Sequence, residues 1–229
     1  MPVAVIKKET LDFLKSLKKN NDRDWFNKHK DRYVEAHENV IAFADALLNE
    51  MNKHDKIETT TGKNSLFRIY RDVRFSKDKT PYSCRFSGGF QRATKKLRGG
   101  YYFHIEPGNS FLAGGFWGPE PEDLQRIRQD IALSFKEWKK LLANKSLVKT
   151  FGKMEGEQIT SAPKGYSKDH PAIELLRYKQ FILRHRFTDR EVCEAVFLSN
   201  VNKAFKEMRP FLNYMSEVLT TNANGESVI

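Results

Sequence analysis

Only two of the 229 residues are cysteine, Cys84 and Cys193, and they stand far apart with no CxxC pair. That usage supplies neither a disulfide framework nor a zinc knuckle, so two unbridged thiols are expected. Long apolar runs are also missing. The best, 40–48, is short and interrupted by Asp45, and no membrane span is expected. The first ten residues contain no apolar stretch of the kind that begins an export signal, which points to a cytoplasmic, reducing setting. There is no GxxxxGK(S/T) loop, no GxGxxG after a strand, no HExxH helix and no GxSxG elbow. Each of those chemistries needs the residues that are lacking, and no cofactor is expected. His104, Ile105 and Glu106 spell HxE, as in zinc deaminases, but the PCxxC that completes the ligand set is absent, so no metal site is expected either.

What is present suffices for a core. Apolar residues make up 39% of the chain and aromatics 12%, enough to fold without staples. The pattern predicts a single α+β domain, with an antiparallel sheet of about five or more strands covered by helices. A helical part spans 10–53. Within it, Leu11, Phe13, Leu14 and Leu17 have helical spacing, and a second helix from near Asp24 carries Phe26, Tyr33, His37, Val40, Ala44, Leu47 and Met51 on one face. His37, without a second ligand close by, reads as a core or boundary histidine. A sheet core spans 64–117, with strands at 66–75, 82–91, 100–106 and 110–117 between Gly, Pro and Asn turns. The part from 121 to 220 returns to helix after Pro119 and Pro121. It carries the stripe Leu124, Ile127, Ile131, Phe135, Trp138 and Leu142, then a fifth strand at 178–187, and Thr188 with Glu191 as a capping box for the last helix. Residues 221–229 form a polar tail expected to fray.

Charge is concentrated in one place. Residues 63–98 hold eleven Lys or Arg against Asp72 and Asp78, a net +9 of the chain's total +11. Such a field favours an anionic partner. Its densest stretch runs from Arg68 to Tyr82. As a strand it puts Arg68, Tyr70, Asp72 and Arg74 on one face, and sets Arg71 on the other among Phe67, Ile69, Val73 and Phe75. A guanidinium so placed needs a carboxylate or phosphate, because it cannot shed its charge. Asp72, between Arg68 and Arg74, can hold one of them and leave the other free to grip an anion. Lys79 and Tyr82 complete the candidate ligand-binding set of Arg68, Arg71, Asp72, Arg74, Lys79 and Tyr82. On the third strand, His104 and Glu106 share a face with Tyr102, a pairing suited to proton transfer and the one candidate for catalysis.

These residues also carry a resemblance. Arg71-Asp72-Val73-Arg74-Phe75, followed by Asp78-Lys79 and Pro81-Tyr82, resembles the signature of domain of unknown function 2461. So do Trp25-Phe26 after Asn21, Asp22, Arg23 and Asp24, and the stretch 163–171. The similarity spans roughly 11–214 and implies an intracellular microbial protein, with no catalytic residue or cofactor to carry over.

Three functions fit the sequence. The first is binding, with or without processing, of a phosphorylated or otherwise anionic small ligand by the arginine motif. The second is nucleic-acid binding across 63–98, with Tyr70, Tyr82 or Phe90 stacking on bases while Arg92, Lys95, Lys96 and Arg98 hold phosphates. The third is a structural or adaptor role in which the motif only secures the fold. A concave cluster favours the first, an open basic surface the second, and mutually paired charges the third.

Overall fold

Four strands, β1 (Phe86–Gln91), β2 (Gly100–Ile105), β3 (Ser110–Phe116) and β4 (Phe181–Phe187), form one antiparallel sheet in the order β1-β2-β3-β4. The computed structural model describes residues 4–222, Glu226 and Ser227. The chain is α+β, as the sequence predicts, but the sheet has four strands rather than about five. The missing strand is 66–75, which contributes only isolated bridges, Leu66 to Gly88 and Tyr70 to Tyr82. The cause is local competition for backbone groups. The Asp72 carboxylate accepts from the Arg74 N–H at 3.2 Å and the Asp78 carboxylate from the Thr80 N–H at 2.9 Å, so side chains take donors that a ladder would use.

By contact the chain divides into two units. The first comprises Met1–Gln91, Tyr102–Leu112 and Arg186–Lys203. Its α1 (Lys8–Lys19) buries Leu11, Phe13, Leu14 and Leu17, the stripe read from the sequence, with Glu9 in the first turn and Lys18 and Lys19 in the last to complement the helix dipole. The next predicted helix is broken in two, α2 (Arg23–Lys28) and α3 (Lys30–Met51). His29 marks the break, with φ −121° and ψ 27° and its Nδ1 2.8 Å from the Trp25 carbonyl oxygen. Val40, Phe43, Ala44, Leu47 and Met51 of α3 are buried. His37 is half-buried and stacks on Tyr33 with ring centroids 5.4 Å apart. Burial, then the charge of Lys63, holds its pKa below the ordinary imidazole value. The short α4 (Gly62–Ser65) lies directly on α3. A β-carbon at Gly62 would come within 2.4 Å of the Asp45 nitrogen and 2.7 Å of the Ile41 oxygen, so only glycine permits the contact. Thr188 and Glu191 do form the capping box, but it opens the single turn α9 (Asp189–Val192), ahead of the long final helix α10 (Phe197–Thr220).

The second unit comprises Arg92–Tyr101, Ala113–His185 and Ala204–Ile229. The predicted stripe is present, but it is carried by two helices, α5 (Pro121–Leu133) and α6 (Phe135–Leu142), that meet at Ser134. Ser134 leaves helical geometry at φ −112° and ψ 32°. Ile127, Ile131 and Trp138 are buried. The Trp138 indole N–H and the Tyr214 hydroxyl both donate to one Asp130 oxygen, at 2.7 and 2.9 Å, which satisfies two polar groups at the edge of an apolar core. The helices α7 (Lys145–Phe151) and α8 (Ile173–Leu176) follow; the predicted fifth strand is trimmed to β4, with Tyr178 left in an isolated bridge to Gln158. Pro210 lies within α10. Of the tail expected to fray, residues 223–225, 228 and 229 lie outside the described residues, and Thr221 bridges Ser227. Among the described residues no helix is long and apolar enough to cross a membrane.

Candidate functional site

The arginine motif folds back on itself as an open hairpin in the first unit. Its two limbs are tied by Arg71 N–H to the Pro81 carbonyl at 2.9 Å and Ser83 N–H to the Ile69 carbonyl at 2.7 Å. Asn21 anchors the far limb: its side-chain oxygen accepts from the Tyr82 N–H at 3.1 Å and its amide donates to the Tyr82 carbonyl at 2.9 Å. The Tyr82 ring then stacks on Phe26 at 4.0 Å with planes 12° apart. This joins the motif to the stretch 21–26, the second segment singled out in the sequence.

Each predicted ligand-binding residue has a definite place. Arg71 does find its carboxylate, Asp78, at 2.5 Å, and also donates to the Thr80 carbonyl at 3.1 Å and to the Thr80 hydroxyl. The apolar layer expected around it does not form. Ile69 is buried, but Phe67 is 59% and Phe75 96% exposed, because without a continuous strand the alternation of faces lapses. Arg71 is itself partly exposed rather than buried. Hydrogen bonds from the Thr80 backbone and hydroxyl, then Arg71, pull the Asp78 pKa down to about 2. Asp72 grips Arg74 through both carboxylate oxygens, at 2.6 and 3.0 Å, and its pKa falls chiefly for that reason. Arg68, on the surface, has no hydrogen bond or ion pair among the described residues. Lys79 donates to the Val73 carbonyl at 3.0 Å. Tyr82 is buried, at 4% exposed.

Of the side chains assigned to bases and phosphates, Tyr70 is 52% exposed, whereas Phe90 and Tyr82 are buried. Arg92, in the second unit, is 2% exposed, donating to Asn213 Oδ1 at 2.5 Å and Ser216 Oγ at 3.2 Å. Arg98 pairs with Asp123. The first unit keeps an open surface on which Phe67, Tyr70 and Phe75 interleave with the exposed Arg68, Arg74, Lys77, Lys79 and Arg85. The Arg74 guanidinium lies 5.9 Å over the Phe75 ring.

The other predicted cluster is a closed hydrogen-bonded row. Tyr102 Oη is 3.0 Å from His104 Nδ1, and His104 Nε2 is 2.9 Å from Glu106 Oε2. Asn109 donates to the same Glu106 oxygen at 3.0 Å, and Lys18 lies 3.9 Å from the other. His104 is buried and stacked on Phe111 at 4.5 Å. Burial raises the Glu106 pKa, but the His104 and Asn109 hydrogen bonds and the His104 and Lys18 charges outweigh it and leave the carboxyl below its ordinary value. An imidazole with both nitrogens bound within its own face has no lone pair open to a substrate. Cys84 is free and partly buried. Burial raises its pKa above that of an ordinary thiol despite a 3.3 Å hydrogen bond from Asn21, which works against a nucleophilic role.

Sequence reasoning missed Asn21 and Asn109 as partners. Asn21 was visible only as part of the 21–26 signature, and Asn109 only as a turn residue. It also missed that Phe67 and Phe75 face outward.

The signature agrees with a comparison against family models. Residues 9–214 match the model described as conserved hypothetical protein (DUF2461), and the chain belongs to that family. No curated protein and no solved structure matches it.

Proposed function

We propose that the first unit binds single-stranded nucleic acid across the surface from Phe67 to Arg85. The observation that carries this reading is the exposure of three aromatic rings, Phe67, Tyr70 and Phe75, among five exposed cations in one short segment. Apolar surface exposed together and rimmed by polar groups marks interaction sites, and bases stack on exposed rings whatever their sequence. Three of the motif's cations are held in place by its own Asp78, Asp72 and Val73 carbonyl. Arg71 and Tyr82 therefore belong to the scaffold, and Arg68, Lys77 and Arg85 are the cations offered to phosphates. This favours a flexible polyanion over a small phosphorylated ligand, which needs several converging donors. Two free thiols suit a cytoplasmic setting, where such a partner is available.

The test is fluorescence anisotropy with a labelled oligothymidylate at several salt concentrations. Three phosphate contacts give a log–log salt slope of about −2. Phe75→Ala, at a fully exposed position, is expected to weaken binding about 5- to 100-fold, the loss of one stacked base. Arg68→Ala should reduce the slope by about 0.7. Absence of binding at low salt, or wild-type affinity in both variants, rejects the proposal.

A further inference from the structure

The stretch 163–171, marked out in the sequence, has no part in the surface just described. In the second unit Lys164, Gly165 and Tyr166 line a cleft of about 670 Å³ together with Pro121, Gln125, Arg128 and Gln129 of α5. The α5 residues recur at four- and three-residue steps and so present one helix face. The facing turn is closed by Tyr166 N–H to the Pro163 carbonyl at 3.1 Å. Gly165 adopts φ +90°, a conformation that side-chain-bearing residues rarely reach, which lets the chain reverse between Lys164 and Tyr166.

The charge balance of the cleft is one-sided. Arg128 is partly buried, with Nε donating to the Leu176 carbonyl at 3.0 Å and Nη2 to the Tyr178 carbonyl at 3.4 Å. Two carbonyls hold the guanidinium's side edge but leave its charge uncompensated, and its Nη1 end is not engaged by any described residue. Arg98, Arg177, Arg184 and Arg190 of this chain each have a carboxylate within ion-pair reach. Arg128 and Lys164 have none among the described residues, and no carboxylate lines the cleft. Burial lowers the Arg128 pKa and raises that of Tyr166, so both groups are partly withdrawn from water. Gln125 and Gln129, exposed at the rim, add amide donors and acceptors.

We propose that this cleft binds a small organic oxyanion, its acid group against the Nη1 end of Arg128 and Lys164 and its body against the Tyr166 ring. A half-buried guanidinium is stable when an anion completes it, and a pair of carboxylate or phosphate oxygens matches its free end. A cleft of this size suits a metabolite rather than a bare ion. The site lies in the second unit, and either proposal can fail without the other.

The experiment is isothermal titration of the whole chain with phenyl phosphate, benzoate and inorganic phosphate. One aromatic acid is expected to saturate at one per chain and to bind more tightly than inorganic phosphate. A preference for phenyl phosphate identifies a phosphomonoester, and a preference for benzoate a carboxylate. Arg128→Gln and Lys164→Ala should each weaken binding about tenfold or more. Tyr166→Ala should weaken the aromatic acids but not inorganic phosphate, and Arg126→Ala, on α5 outside the cleft, should change nothing. Lys164 is exposed, so its variant tests the site even if loss of Arg128 loosens α8. No saturation by either aromatic acid at millimolar concentration, or wild-type affinity in the Lys164 and Tyr166 variants, overturns the proposal.

Discussion

Replacing Asn21 by alanine should detach the arginine hairpin from the helices beneath it. The Asn21 side chain makes two hydrogen bonds to the backbone of Tyr82, at 3.1 and 2.9 Å, and one to the Cys84 sulfur at 3.3 Å. An ordinary hydrogen bond contributes about 0.5–1.5 kcal/mol net, and a donor left unpaired in a partly buried place costs about 1–3 kcal/mol. The Tyr82 N–H has Asn21 as its partner, and the Tyr82 ring must hold its 4.0 Å stack on Phe26 for the limb to stay down. The sum is a loss of roughly 2–3 kcal/mol, which for a chain of this size lowers Tm by about 4–12 °C. Urea denaturation followed by tryptophan fluorescence measures it directly, since Trp25 lies on α2 beside the contact. Asn27→Ala, on the exposed side of α2, serves as control and should stay within about 0.5 kcal/mol of wild type. Asn21→Asp keeps the acceptor but turns a carboxylate toward the Tyr82 carbonyl, and should cost at least as much as alanine. A loss in Asn21→Ala no larger than the Asn27 control would refute the assignment of Asn21 as the anchor.

Two further outcomes follow from the buried and half-buried titratable groups. Glu106 has a folded pKa below its ordinary 4.5, so its stabilising contribution is whole above that value and is lost as pH falls through the lowered one. Glu106→Gln should therefore be less stable than wild type near about pH 6, with the gap closing toward about pH 3, as measured by denaturation at each pH; a gap that widens in acid contradicts the network. Cys84 and Cys193 are both free, and burial raises both thiols. Both should alkylate fully after unfolding without reductant, yet react in the folded protein more slowly than glutathione at neutral pH; a disulfide in the unreduced chain, or a fast native thiol, contradicts this.

The helices were legible because their signals are local. The apolar stripe of α1, the capping box of α9 and the proline at the start of α5 each reside within a few residues. The strands 100–106 and 110–117 were read nearly to their ends for the same reason, since Pro107, Gly108 and Asn109 turn one into the other. Helix breaks at His29 and Ser134 were not legible. Neither residue is a strong breaker, and the apolar spacing continues past both.

The failure at 66–75 is more instructive, because alternation there was strong and the strand still did not form. Ile69 and Val73 favour extended backbone, and the segment pairs at its two bridges. What the period-two pattern does not weigh is that Asp72 and Asp78 each lie two residues before a backbone N–H they accept from, at Arg74 and Thr80. Both carboxylates also hold an arginine, Asp72 holding Arg74 and Asp78 holding Arg71. One side chain thus ends the ladder and fixes a guanidinium in the same act. Two acids that look in the sequence like partial neutralisation of a basic run each occupy a backbone N–H and an arginine within it. Exchanging Asp72 for asparagine keeps the turn acceptor and removes the charge, so the loop should persist while Arg74 is released.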